Sequence, residues 1–516
     1  MGKIMSSSFE AKYIPEPELV FGSKGEEKDP RIGLKRYGPY FYSDEEKPLE
    51  SVRVGIIGNR SGIDMIKKII ETIKEPISSP KTNKWLYPDY PGMKMDTPFK
   101  CSIKTSKNWE IVLTDDFDLK KIESTLDVNQ RIAEGVNLYV EKIKELKGDD
   151  EPDVILCVLP KLIEEYCGIS EKTRGAKKVR MTPLEQEIAE LKEKKQGFLT
   201  DFGFEIATKK IPDKSYDFRN SLKGKVMELG IPTQIIRSTT CEHFLKYGEM
   251  KKHTKQDPSS MAWNFSTAIY YKANGKPWRL AKLRMDTCYV GVSFFVDKLH
   301  PKQEIQISMA QVFTHNGEGL VLRGTEVEVN EHTKQAHLKK DQAKSLLKNA
   351  IEKYISRSKR NPSRVVIHKK SAFSPEEQEG FNEAIYEFGN ISKDFVTIKS
   401  EPSGINFLRM GAYPVLRGTM ISVDDDSVLL YSSGFSPRIR TYAGHRIPNP
   451  LSITHIGESS KEEIAEEILG LTKLNWNTTS FSTFLPITLS FADGVGKILS
   501  ELPKEKFVQD HYRFFM

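Results

Sequence analysis

Thr287-Cys288-Tyr289-Val290-Gly291-Val292-Ser293-Phe294-Phe295-Val296 reads as a strand, and its neighbours decide what kind of sheet it joins. Downstream, residues 304–314, 319–328, 364–368, 395–399 and 426–432 read as further strands. A long helical pattern over 339–357 separates the third from the fourth. A mixed sheet interrupted by a crossover helix is the architecture this order implies. Upstream the pattern is different. Ser51-Val-Arg-Val-Gly-Ile-Ile-Gly58 reads as a buried strand and 62–73 as a helix. Val154-Ile-Leu-Cys-Val-Leu-Pro160 is a second apolar run before a helical 162–167. Thr182-Pro-Leu-Glu185 opens another helix with a capping box and an early proline, after a basic, mobile loop expected between Glu171 and Arg180. This alternation implies a parallel sheet with covering helices. Gly55, Gly58 and Gly62 have neither dinucleotide-binding nor Walker spacing, so close packing of strand on helix is their expected role.

A chain of 516 residues exceeds one ordinary core, so two or more domains are expected. It contains no run of 18 apolar residues, and its polar start lacks a signal-peptide layout, which predicts a cytoplasmic protein without membrane contact. Cys101, Cys157, Cys167, Cys241 and Cys288 are scattered, without a Cys-x-x-Cys pair. Reduced, mostly buried thiols are expected, and zinc is not. The net charge is +7, and much of it gathers between Lys348 and Lys370, where eight Lys and Arg face the single acid Glu352. Such a stretch is either a solvated helix face or a footprint for a phosphate backbone, with Arg357, Arg360 and Arg364 its candidates.

Three clusters then carry a resemblance: Arg219-x-x-x-Lys223, Ile231-Pro-Thr-Gln234-Ile-Ile-Arg237, and Ala268-Ile-Tyr-Tyr-Lys272-Ala-Asn-Gly275. In order and spacing they resemble the junction between the MID and PIWI domains of Argonaute proteins. Val366-Ile-His-Lys-Lys370, Leu471-Thr-Lys-Leu-Asn-Trp476 and Pro486-Ile-Thr-Leu-Ser-Phe-Ala-Asp493 resemble successive PIWI motifs. Asp29-Pro-Arg-Ile-Gly-Leu34 and Tyr37-Gly-Pro39 are similar to the start of short prokaryotic Argonautes. The resemblance implies a Rossmann-like MID domain over 1–261 and a ribonuclease-H-like PIWI domain over 262–516, without a PAZ lobe. It also implies that Arg219, Lys223, Gln234 and Lys272 anchor the 5′ phosphate of a guide strand. Cations on one helix face, with amide donors, suit that task. Met516 resembles the terminal residue whose carboxylate holds a bridging Mg²⁺ in some relatives. Hydrophobic docking of Phe514 and Phe515 explains the same terminus.

Cleavage in this family needs converging carboxylates that hold two cations about 4 Å apart. Aligned with the PIWI motifs, the chain presents Ser293 at the first such position, Lys369 at the second and Asp493 at the last, while Glu318 reads as a hairpin residue. The resemblance therefore implies recognition without cutting. Its expected components are a small guide RNA, a single-stranded DNA target and a partner protein with an APAZ region. That partner carries the effector, a TIR or sirtuin-like NADase or a nuclease, in defence against plasmids or phages. The competing classes are a guided endonuclease with relocated ligands, for which Asp286 and Asp297 flank the first strand, and a nucleotide-binding enzyme on the glycine-rich segment.

Overall fold

Two sheets organise the chain, and each is built around a strand buried on both faces, a property the sequence marks only for Ser51–Gly58. In the first sheet Ser51–Gly58 runs parallel to Ser102–Lys104 and Glu110–Val112 on one side and to Val154–Leu159 on the other. Thr233–Arg237 adds a parallel edge beyond Val154–Leu159. Helix Arg60–Lys74 follows the central strand, with Asn59 as its cap accepting from the Gly62 N–H at 3.0 Å. A Cβ on Gly58 or Gly62 would stand 3.0 or 2.9 Å from the side chain of Val158, so these glycines let helix and strand approach closely. The Thr182–Glu185 capping box forms in both directions at the head of helix Pro183–Glu193. The computed structural model describes residues 10–41, 48–168, 180–193, 217–250, 255–284, 286–296, 306–314, 317–327, 336–400, 407, 409–411, 413–442, 447–502 and 509–516. Residues 171–179 of the expected basic loop, and Asp297, lie outside them.

The second sheet has nine strands. Across it lie Gly319–Val327, Gln306–Phe313, Thr287–Val296, Arg364–Lys369, Ser392–Lys399, Leu451–Gly457, Ser427–Leu430, Thr419–Ser422 and Ala11–Tyr13. The first three are antiparallel neighbours. Arg364–Lys369 then runs parallel to Thr287–Val296 after the crossover helix Lys340–Ser358, and Ser392–Lys399 is parallel again. This is the ribonuclease-H-like order that the strand spacing implied. The sequence reading missed Thr419–Ser422 and Leu451–Gly457, both with short, mixed apolar patterns. It also missed the N-terminal Ala11–Tyr13, which pairs with Thr419–Ser422.

Side-chain alternation along Thr287–Val296 separates two cores. Cys288, Val290 and Val292 pack with Leu347, Ile351 and Phe381 from helices Lys340–Ser358 and Pro375–Tyr386. Tyr289 and Phe295 point the other way, into the cluster with Ile487, Val495 and Ile498 from helices Ile487–Ser490 and Ala492–Leu499. At Gly291, a Cβ would sit 2.0 Å from the carbonyl oxygen of Thr488, so this second layer touches the strand backbone. Each fully buried aliphatic side chain contributes about 1.5–3 kcal/mol, which fixes the alternation.

The halves share structure. Helix Pro258–Lys272 runs through the expected boundary at 261/262, and Leu19–Val20 pairs with Arg279–Leu280. All five cysteines are free and buried. Among the described residues, no helix is long and apolar enough to cross a membrane.

Candidate functional site

Helix Phe218–Val226 presents Arg219 and Lys223 one turn apart, with Asp217 capping it through the Asn220 N–H at 2.9 Å. The helix packs on strand Thr233–Arg237, and Lys223 Nζ donates to the carbonyl oxygen of Thr233. From the other side, Lys272, last residue of helix Pro258–Lys272, donates to Oε1 of Gln234. The structure thus brings together all four side chains that the motifs single out. Lys223 and Lys272 are each 1% exposed.

The electrostatics of this group are unusual. Among the described residues, no carboxylate forms an ion pair with Arg219, Lys223 or Lys272. Burial holds Lys223 well below its ordinary range, and the charges of Lys272 and Arg219 add repulsion. Burial and the charge of Arg219 lower Lys272 to about 7. Arg219 is also lowered by burial, against the field of Asp217. Uncompensated buried cations are unfavourable unless an anion completes them. Lysines, an arginine and an amide already engaged by Lys272 therefore suit an anion, and the ligand expected for Mg²⁺, the Met516 carboxylate, lies outside this set.

The terminal segment docks by apolar contact. Tyr512, Phe514, Phe515 and Met516 are at most 5% exposed, with Tyr512 edge-on to Phe313 and Phe491. Arg513 reaches Asn274 Oδ1 at 3.0 Å, two residues past Lys272, so the tail covers the helix end that carries this lysine.

The second group lies on the large sheet, where register moves one assignment by a residue. Ser293 shares its face with Tyr289 and Phe295, the face covered by helix Ala492–Leu499 that carries Asp493. Lys369 is paired with Val292, so it belongs to the opposite face. There its ammonium meets Glu377 Oε1 at 2.5 Å, near the rings of Phe294 and Phe373. The residue in phase with Ser293 is Lys370, whose Nζ lies 3.5 Å from Asp493 Oδ1. The motif reading chose Lys369 because two adjacent lysines are indistinguishable without the register. Burial pushes the Glu377 carboxyl up, but Lys369 and the backbone N–H groups of Ser374 and Leu338 bring it net below its ordinary range.

Ser293 Oγ has no hydrogen-bond partner among the described residues, and Glu318 is paired with Lys276 at 3.1 Å. Among the described residues, no group of three or more His, Cys, Asp or Glu is placed to hold a metal ion.

The basic stretch also changes on folding. Arg364 is 1% exposed and clamped by Asp394 at 2.6 Å and Glu467 at 2.5 Å, so it is a core residue and no backbone contact. Lys353 and Arg357 face Asp510 at 2.9 and 3.4 Å, and Lys348 faces Glu387 at 2.7 Å. Arg360 is exposed and makes no ion pair with a described residue.

No family model matches the chain. A curated relative, the protein argonaute of Cereibacter sphaeroides, is 24% identical over 57% of this chain and 39% of its own length. Among solved structures, Clostridium butyricum Argonaute bound to a guide DNA and a 19-mer target DNA superposes with a TM-score of 0.60 at 16% identity. That match covers 99% of this chain and 55% of the other. Drosophila Piwi matches with a TM-score of 0.57 at 12% identity, over 98% of this chain and 56% of its own. The chain thus has the mixed α/β fold of Argonaute MID and PIWI domains, and spans about half the length of these structures.

Proposed function

We propose that this chain is the MID–PIWI part of a short Argonaute, and that it holds the 5′ phosphate of a guide strand at Arg219, Lys223, Gln234 and Lys272. The observation that supports this most is three buried or half-buried cations without an ion-paired carboxylate among the described residues. A phosphate brings the missing negative charge, and charge-assisted hydrogen bonds to it are the strong kind. Base pairing between guide RNA and single-stranded DNA would then read sequence, while the protein holds backbone by charge and shape. Mixed loading with RNA and DNA guides tests the strand class.

Recognition proceeds without cleavage. Ser293 lacks a carboxylate, Lys370 places a cation on the same face, and Asp493 is paired with it. Binding of hard cations at this place would need several oxygen ligands in one direction. The purified chain, loaded with guide and given Mg²⁺ or Mn²⁺, is expected to leave a matched target intact. Guide-dependent cuts would instead support the endonuclease reading. Target capture is then relayed to a partner with an APAZ region, which supplies the effector chemistry. Copurification of the chain with the product of its neighbouring reading frame, and target-dependent NAD or nucleic-acid degradation by the pair alone, is the expected result.

The primary test is guide affinity as a function of the 5′ end. A phosphorylated guide binds more tightly than a hydroxyl-ended one, and the difference disappears in Lys223→Ala. Equal affinities in the wild-type chain would overturn the assignment.

A further inference from the structure

A third surface, distinct from both groups above, interleaves rings with guanidiniums. Strands Phe435–Ser436 and Thr441–Tyr442 form a short hairpin. At its base Tyr413 stacks on Phe435, with ring centres 4.2 Å apart and planes 20° from parallel. The guanidinium of Arg409 lies 5.3 Å from the centre of the same Phe435 ring. At the tip, Arg440 lies 4.8 Å and Arg438 6.0 Å from the ring of Trp85. Asn83 Nδ2 donates to the Ile439 carbonyl at 3.1 Å and fastens the Trp85 loop to this tip.

Three features separate this ribbon from ordinary packing. Its rings stay open to solvent: Trp85 is 41% exposed, Tyr413 48%, and neighbouring Met410 97%. The only ring contact of Tyr413 among the described residues is with Phe435. Its charges are also unequal in kind. Arg438 is taken by Glu27 at 2.5 Å, whereas Arg409 and Arg440 are exposed and form no ion pair with a described residue. Finally, Arg440 holds a φ of +54°, a conformation that favours glycine or asparagine. Held there, its guanidinium lies over Trp85 at the hairpin tip.

We propose that this ribbon is a second nucleic-acid contact, on which a single-stranded segment stacks bases against Tyr413 and Trp85 while Arg409 and Arg440 meet its phosphates. Arg409 Nε donates to the Tyr413 carbonyl at 3.2 Å, which holds it beside the stacked rings. Exposed aromatic faces interleaved with guanidiniums that carry no ion-paired carboxylate are the chemistry of sequence-tolerant single-strand binding. Arginine is suited to it because a planar guanidinium both stacks and forms paired hydrogen bonds to phosphate. A protein partner would offer carboxylates to the same arginines, and is an outcome of the test that would overturn the proposal. The inference rests on the nucleic-acid reading of the chain, yet it does not depend on the phosphate cluster.

Binding is measured with the full chain. One set of probes is hydroxyl-ended single strands of RNA and of DNA. The other is guide-loaded protein with targets that either end flush with the guide or extend beyond it as a single strand. The exposed pair Trp85→Ala and Tyr413→Ala is compared with Trp85→Phe and Tyr413→Phe. The alanine pair is expected to lose about five- to a hundredfold for single strands and extended targets, and nothing for flush targets. The phenylalanine pair retains binding. Arg409→Gln with Arg440→Gln makes the salt dependence shallower by about 1.4 in log–log slope. Loss confined to the guide's free end, or to the target's extension, identifies which strand occupies the ribbon. The alanine pair should keep the preference for a phosphorylated guide, while Lys223→Ala removes that preference and leaves the stacking contribution. If the alanine pair binds every single strand as the wild type does, the proposal is wrong, whatever becomes of the phosphate site.

Discussion

Lys223, Lys272 and Lys369 are equally buried, at 1% exposure each, but in opposite surroundings. Lys369 has a carboxylate at 2.5 Å, and Glu377 is in turn satisfied by the Ser374 N–H at 2.8 Å and the Leu338 N–H at 3.0 Å. That charge is internally complete. Lys223 and Lys272 have a carbonyl and an amide oxygen, each other and Arg219, and no acid in ion-pair contact among the described residues. The difference teaches that a buried lysine is structural or functional according to whether the protein itself supplies the opposite charge. A complete pair stabilises the native state against loss of either member. An incomplete cluster is poised for a ligand and lowers the stability of the free protein.

The largest effect should come from breaking the complete pair. Lys369→Ala strands Glu377 without its partner and is expected to lower unfolding free energy by about 3–5 kcal/mol, read from denaturant midpoints. Replacing both at once, with Lys369→Met and Glu377→Leu, should recover most of that loss. A small effect of the single change would mean that Glu377 is already satisfied by backbone alone.

At the incomplete cluster the sign should reverse for the free protein. Lys223→Met removes an uncompensated charge at similar volume, so the free chain is expected to be no less stable than the wild type at neutral pH. Lys223→Ala should weaken phosphorylated-guide binding by about 1.5–3 kcal/mol, a ten- to hundredfold change. Should both regions respond identically to loss of their lysine, the contrast between them fails.

pH sharpens the comparison further. Lys272 titrates near 7 in the folded chain and at 10.5 when unfolded, so between those values the unfolded chain holds more protons. Stability therefore rises with pH across that window, and the penalty of the buried charge is fully present below it. Phosphate binding favours the charged lysine. Guide loading at pH 8 should take up protons, with Lys272 one of the contributing groups, measurable by calorimetry in buffers of different ionisation enthalpy, and affinity should fall as pH rises from 7. An unchanged proton balance in Lys272→Met would show that another group titrates.

The smallest effect belongs to the basic stretch. Arg360→Gln is expected to make the salt dependence of target binding shallower by less than about 1 in slope, while Arg364→Gln should destabilise the fold instead. Equal, purely electrostatic effects of the two would contradict the clamp of Arg364 by Asp394 and Glu467.

Much of this was legible in residue order. The strand at 287–296, the crossover helix and the capping box at Thr182 all follow from local patterns, because hydrophobic period and capping chemistry are properties of neighbouring positions, whereas the cation cluster was legible only through the family resemblance. The motif order singled out Arg219, Lys223, Gln234 and Lys272, and helix spacing then placed the first two on one face.

Tertiary structure alone decided where charge ends up. Lys369 and Lys370 are chemically alike in sequence, but strand register sends the first to Glu377 and the second to Asp493. Arg360 and Arg364 read as one basic run, yet the second lies on a strand buried between two carboxylates that are 30 and 103 residues away. The Trp85 ring and the hairpin of Arg440 are far apart in the chain and have no pattern in common. Pairing of charges depends on distances of a few ångströms between remote segments, and only the packed sheet sets those distances.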